Sequence, residues 1–114
     1  MSATAERVQG LSQLAQLTQS EVGRIVDASP RTVARWAAGE VEPQPDARDR
    51  LLQLHYVARQ LIEVLGLAPS DANPWLFEPN QLLQGDTPAD RLARGEFRLV
   101  LGLIEALADA QRFF

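Results

Sequence analysis

Nowhere in this chain do apolar and polar residues alternate with period two over more than a few positions, and β-branched residues are sparse. A half-buried strand needs that alternation and favours those side chains, so no sheet is expected. Helix punctuation recurs instead. Ser29 stands before Pro30 and Thr87 before Pro88, each a capping hydroxyl followed by a residue whose missing N–H costs nothing in a first helical turn. The fold class that follows is all-α.

A length of 114 residues allows one domain, or a small one with a packed extension. With 46% apolar and 23% charged residues the chain should fold and is not a disordered tail. Cysteine is absent, which removes disulfides, thiolate nucleophiles and Cys-based zinc sites. His55 is the single histidine, so no imidazole cluster can hold a metal and most acid–base schemes lack their usual player. No glycine-rich phosphate loop and no HExxH element occurs. Asp86 and Asp90 flank a helix start, where capping accounts for them. Neither an enzyme nor a bound cofactor or metal is expected. The longest apolar run, from Leu99 to Ile104 with Gly102 inside it, is far below the roughly 18 residues that span a bilayer. The first residues lack the basic start and apolar run of a signal peptide. A cytoplasmic protein with no membrane partner is expected.

The formal charge is −4, from eleven arginines, no lysines and fifteen acids. Residues 1–45 hold four arginines against five acids, a net of −1; residues 67–114 hold four against seven, a net of −3. A free-standing nucleic-acid binder is usually basic, because phosphate neutralisation supplies most of its affinity. Two readings follow: weak DNA binding by a monomer that needs multivalency, or a chain that mainly binds something else.

Residues 40–45, with Pro43 and Pro45, read as a linker. They divide the chain into an amino-terminal region, 1–45, and a carboxyl-terminal region, 46–114. Residues 66–74 read as a helix stop followed by turn formers. The first helix is expected over 4–16, with Val8, Leu11, Leu14 and Ala15 on one face and Gly10 weakening it by about 1 kcal/mol relative to alanine. Thr18 and Glu21 have capping-box spacing, with Leu17 and Val22 as the apolar staple. That short helix should end near Asp27, whose Asx side chain tolerates positive φ. Ser29 and Pro30 then open a second short helix that Gly39 closes. Two helices of about two turns joined by roughly three residues make a helix-turn-helix. Gly23 lets the pair approach, and Val33 and Trp36 face the core.

The outward face of the second helix is then Ser29, Arg31, Thr32, Arg35 and Ala38. Arginine pairs bidentately with guanine in a major groove, and a serine at a helix start can hold a phosphate. Arg24 on the preceding helix could reach the DNA backbone. Helix pairs of this kind also occur in proteins that never touch DNA.

The longest helix is expected over 46–65, capped by Asp46. Ala47, Leu51, Leu54, Ala58, Leu61, Ile62 and Leu65 share its core face. Leu52 and Tyr56 fall on the opposite side, as ordinary exposed residues or as a partner contact. His55 lies at the core's edge as a hydrogen-bonded boundary residue. Beyond it, Trp75, Leu82 and Leu83 are expected to seal the bundle, and a short helix starting at Thr87 ends at Gly95. The last helix, 96–110, carries apolar residues over roughly 220° of its wheel, where a surface helix in a small monomer needs about 100°. A second chain packing on it is implied. Phe113 and Phe114 either fold back onto the core or anchor in a partner pocket, since burying a Phe is worth about 1.5–3 kcal/mol.

Residues 22–36 resemble the Xre-like helix-turn-helix of the Xre/MbcA/ParS antitoxins. Ala72, Asn73, Pro74, Trp75, Phe77, Pro79, Asn80, Leu83, Gly85, Pro88, Asp90, Gly95 and Glu96, followed by the apolar stretch from Val100 to Leu107, resemble that family's toxin-binding domain. The resemblance is strongest to MbcA-like members and covers about residues 11–110. It implies a type II antitoxin whose partner is an NAD-consuming RES-domain toxin, whose carboxyl-terminal region blocks the toxin's active site, and whose complex represses its own promoter. Carried over by position, Trp75, Pro79, Asn80, Gln111, Arg112, Phe113 and Phe114 would meet the toxin, and Arg24, Ser29, Arg31, Thr32 and Arg35 the operator. A homodimer within a larger complex is expected. Family members often have a glycine after the final helix; this chain has Ala110 and Gln111. A stand-alone dimeric helix-turn-helix regulator, or an adaptor that has lost DNA binding, accounts for the same helices.

Overall fold

A computed structural model describes residues 2–112. Seven α-helices and one 3-10 turn follow in chain order, and no strand occurs among the described residues: α1 Ala3–Ala15, α2 Gln19–Val26, α3 Pro30–Ala37, α4 Pro45–Glu63, α5 Pro69–Phe77, the 3-10 turn Gln81–Leu83, α6 Pro88–Ala93 and α7 Phe97–Gln111. The all-α expectation holds.

Most boundaries are set by the chemistry read in the sequence. Thr18 accepts from Glu21 N while the Glu21 carboxylate accepts from Thr18 N, so the capping box is closed in both directions. Ser29 and Thr87 cap α3 and α6 ahead of their prolines. Gly39, Gly66 and Gly95 end helices with positive φ.

Three elements differ from expectation. Gln44, and not Asp46, is the N-cap of α4; Pro45 takes the first helical position and Asp46 the first turn, with no side-chain cap hydrogen bond. There the Asp46 carboxylate still complements the helix dipole. Beyond Gly66 the chain does not stay in turns, because Pro69 starts a nine-residue helix with Pro74 inside it. An internal proline costs about 3 kcal/mol, and burial of Ala72 and Leu76 offsets it. Leu82 does not seal the bundle: it is 68% exposed while its neighbour Leu83 is buried.

One apolar cluster runs from Val8 through Trp36, Leu54 and Leu76 to Ala108, across the division at residue 45. α1 packs on α3, α4 and α5, α2 on α6, and α4 on α7. Gly10 sits where α1 meets α4: a Cβ there would lie 3.3 Å from His55 Nε2. His55 is half-buried, a boundary residue as expected, but no hydrogen bond to its ring occurs among the described residues. On α4, Val57 joins the expected core residues and is fully buried. Tyr56 is exposed on one side and meets Phe97 edge-on at 6.1 Å on the other.

The chain itself covers much of the apolar side of α7, wholly or in part. Val100, Leu103, Ile104 and Ala108 are buried, and Phe97, Leu101 and Leu107 are half-buried. The wide apolar arc therefore does not by itself demand a second chain over its whole width. Leu99, Gly102, Ala106 and Ala110 stay exposed. Phe113 and Phe114 lie outside the described residues.

Candidate functional site

The turn between α2 and α3 is tight because three residues fit it and few others would. A Cβ on Gly23 would stand 2.2 Å from the Ala28 carbonyl oxygen, which no side chain tolerates. Asp27 takes the left-handed conformation at φ 60, and Ala28 N donates to Gly23 O at 2.9 Å. Val33 and Trp36 are buried, so α3 turns its other side outward.

On that side the five residues expected to meet DNA differ in how free they are. Arg31 is exposed and enters no ion pair among the described residues. Ser29 Oγ accepts from Thr32 N at 3.1 Å and donates to Thr32 Oγ1 at 2.9 Å. Its hydroxyl is thereby spent on the cap, and the Thr32 hydroxyl keeps its own proton to give. Arg35 stands 3.5 Å from Glu40. Arg24 reaches 2.9 Å to Asp90 in α6. The surface beside α3 is a depression of about 790 Å³ shared with the start of α4; Asp27, Glu42 and Asp46 line it together with Arg35 and Arg50. Thr4 fixes one of these acids by donating to Glu42 at 2.8 Å.

The residues tied by resemblance to partner binding fall into separate places. Trp75 and Gln111 come together: with Leu65, Leu67, Leu107 and Ala110 they line an apolar groove of about 430 Å³ between α5 and the end of α7. Pro79 and Asn80 are not part of it. Asn80 is a loop staple, its side chain accepting from Leu82 N at 2.9 Å and its N–H donating to Asp86 O at 3.1 Å. Arg112 is exposed and pairs with Asp109 at 3.2 Å.

Two polar residues with no assigned role hold the structure together, Asn73 across the two halves and Arg91 within the carboxyl-terminal one. Asn73 donates to Gln16 O and to Glu21 Oε1, both at 3.2 Å, bolting α5 to the end of α1 and to the capping box of α2. Arg91, its side chain only 15% exposed, donates to Asp86 at 3.0 Å, to Glu96 at 3.3 Å and to Leu83 O at 3.0 Å. The signal for Arg91 was present as acids five residues before and after it; Asn73 carried none beyond its place in a motif. Arg50 also donates to Ala93 O at the end of α6. The side-chain hydrogen bond with Thr87 first, then the Arg24 charge and the Thr87 backbone, hold the Asp90 carboxyl below the usual aspartate range, against an opposing effect of burial that exceeds that of the Arg24 charge alone.

No protein-family model matches the sequence. Mycobacterial cidal antitoxin MbcA of Mycobacterium tuberculosis (strain H37Rv) is 52% identical over 106 residues, which cover 92% of this chain and 91% of that protein. The chain belongs to the MbcA antitoxin family. MbcA of Mycobacterium bovis gives the same identity and coverage, and a probable mycobacterial cidal antitoxin of M. tuberculosis is 34% identical over 95 residues, 82% of this chain and 77% of that one. Among solved structures, a chain of the crystal structure of the M. tuberculosis MbcT–MbcA toxin–antitoxin complex is similar across 96% of this chain and 97% of its own, with 48% identity and a TM-score of 0.84. The MbcA-like resemblance read from residues 11–110 is thus correct. No described helix is long and apolar enough to cross a membrane.

Proposed function

We propose that this MbcA-family chain is the antitoxin of a type II pair: it neutralises an NAD-consuming RES-domain toxin by covering the toxin's active site, and it represses its own promoter. The likeness along nearly the whole chain to a component of the MbcT–MbcA complex carries this reading. The carboxyl-terminal region, 46–114, meets the toxin and supplies the dimer contact. The groove that joins Trp75 to Gln111 lies at the end of α7, and Arg112, Phe113 and Phe114, next in the sequence, reach the toxin. Pro79 and the loop stapled by Asn80 form a second contact.

The amino-terminal region, 1–45, meets operator DNA as a helix-turn-helix through Arg31, Thr32 and Arg35, with Arg24 and the main chain at Ser29, where α3 starts, at the backbone. Arg31 leads because its guanidinium is uncommitted. The pairs of Arg24 and Arg35 are exposed, and such pairs are worth about 0–1 kcal/mol, so phosphate displaces the carboxylates at little cost. With a net of −1 over residues 1–45, one copy binds DNA weakly, and a homodimer gains affinity by placing two recognition helices on one duplex face. The protein works in the cytoplasm, without cofactor or catalysis of its own.

The test is co-expression with the adjacent open reading frame, following cellular NAD and co-purification on a tagged copy of this chain. A neighbour that depletes NAD alone, and a chain that restores NAD while co-purifying, is the expected outcome. Constant NAD and no co-purification would leave a stand-alone DNA-binding regulator.

A further inference from the structure

One side of α7 is left uncovered by the chain. Leu99 is 45% exposed, and Gly102, Ala106 and Ala110 continue outward along the same side of the helix. A Cβ at Gly102 would meet nothing within 4 Å, so no neighbour in the chain explains a residue that weakens a helix interior by about 1 kcal/mol. Beside Gly102 lies a depression of about 240 Å³, with Arg98 toward one end and Glu105 toward the other. Neither of these charges enters an ion pair among the described residues, whereas Arg91, Arg94 and Arg112 all do.

The placement of the two charges has the symmetry of a two-fold axis. At about 100° per residue Arg98 and Glu105 point to the same side of α7, and they stand equally far before and after the Leu101–Gly102 step. A two-fold axis perpendicular to two antiparallel helices reverses position along the helix and keeps the side. Arg98 of one copy then faces Glu105 of the other, and the pair is made twice. The same operation sets Leu99 of each copy against Gly102 and Ala106 of the other, a large side chain over small ones. Within one chain the two charges are seven residues apart, about 10.5 Å along the axis, too far to pair.

We propose that α7 is the homodimer interface, formed by antiparallel self-association centred on Gly102 and held in register by reciprocal Arg98–Glu105 ion pairs. The occupant of this face is a second copy of the chain. This rests on the dimer in the proposed function and is independent of the toxin.

Sedimentation of the full chain alone, with far-UV circular dichroism as the fold check, tests it. The unaltered chain should be a dimer. Arg98→Glu and Glu105→Arg should each weaken it roughly tenfold or more by setting like charges together twice, and Gly102→Gln should do so by filling the contact. The double variant Arg98→Glu/Glu105→Arg should restore the dimer, which no effect within one helix would do. A dimer indifferent to Gly102→Gln and to both charge reversals overturns the interface while leaving dimerisation standing. A monomeric unaltered chain overturns both. Loss of co-purified toxin on Gly102→Gln, with the chain alone monomeric, would give this face to the toxin instead.

Discussion

The Arg24 guanidinium on α2 lies 2.9 Å from the Asp90 carboxylate on α6, so the helix that precedes the candidate recognition helix is tied to the carboxyl-terminal half. Asp90 →Asn keeps the side-chain shape and removes the charge. Because the pair is exposed, stability should fall by no more than about 1 kcal/mol, read as a small drop in urea midpoint. The freed Arg24 should raise operator affinity at low salt, and a retardation gel that shows no gain would remove Arg24 from the phosphate contacts.

The same carboxylate sets a pH dependence. Its folded pKa is below the unfolded value, so the stability it contributes is complete above the ordinary aspartate range and is lost as pH falls through the folded value. Urea titrations should show Asp90→Asn with a shallower loss of stability in acid than the parent chain. Parallel curves would mean that other carboxylates carry the acid limb.

His55 acts with the same sign in a higher pH window. Burial first, then the charges of Arg59 and Arg7, hold its imidazolium below the usual histidine range. Between the folded and unfolded values the unfolded chain binds the proton more tightly, so stability rises with pH toward and through about 6.5. His55→Gln should flatten that rise in denaturant midpoints measured from weakly acid to neutral pH; an unchanged slope would assign it elsewhere.

Local chemistry made the helix starts legible. Thr18, Ser29 and Thr87 act through backbone groups three residues away, and such contacts are written in spacing. The core face of α4 was legible for the same reason, since a helix wheel is local. Pro74 inside α5 was not, because propensity argues against it and only the burial of Ala72 and Leu76 overrides that. The commitments of the site residues were equally hidden. Nothing near Arg24 in sequence points to Asp90, 66 residues on, and Asn80 read as a contact residue although its side chain closes its own loop. How much of α7 its own chain covers depends on where α4 and α6 lie, which no periodicity encodes.

Gly23 gives a sharp steric prediction. A methyl group 2.2 Å from the Ala28 carbonyl oxygen meets backbone, which cannot swing aside as a side chain would. Gly23→Ala should destabilise the chain by about 1–3 kcal/mol, visible as a lower thermal midpoint, and should displace α3 enough to weaken operator binding more than toxin neutralisation. A variant of parental stability would show that the turn between α2 and α3 is looser than its hydrogen bonds suggest.

Arg31 and Arg35 should separate base reading from backbone contact. Arg31 is free and near the start of α3, while Arg35 lies one turn later beside Glu40. If Arg31 reads a guanine, Arg31→Ala should cost about 1–3 kcal/mol of operator affinity and relax preference at one base pair. Arg35→Ala should cost less, because Arg35 must leave Glu40 to reach the DNA, and Glu40→Gln, which removes that competitor, should bind operator more tightly than the parent. Titrations over a salt series distinguish the two roles. A phosphate contact lowers the salt slope by about 1 on removal, and a base contact leaves the slope nearly unchanged while sequence preference falls. Equal, sequence-independent losses for Arg31 and Arg35 would make both backbone contacts and move base reading to Thr32.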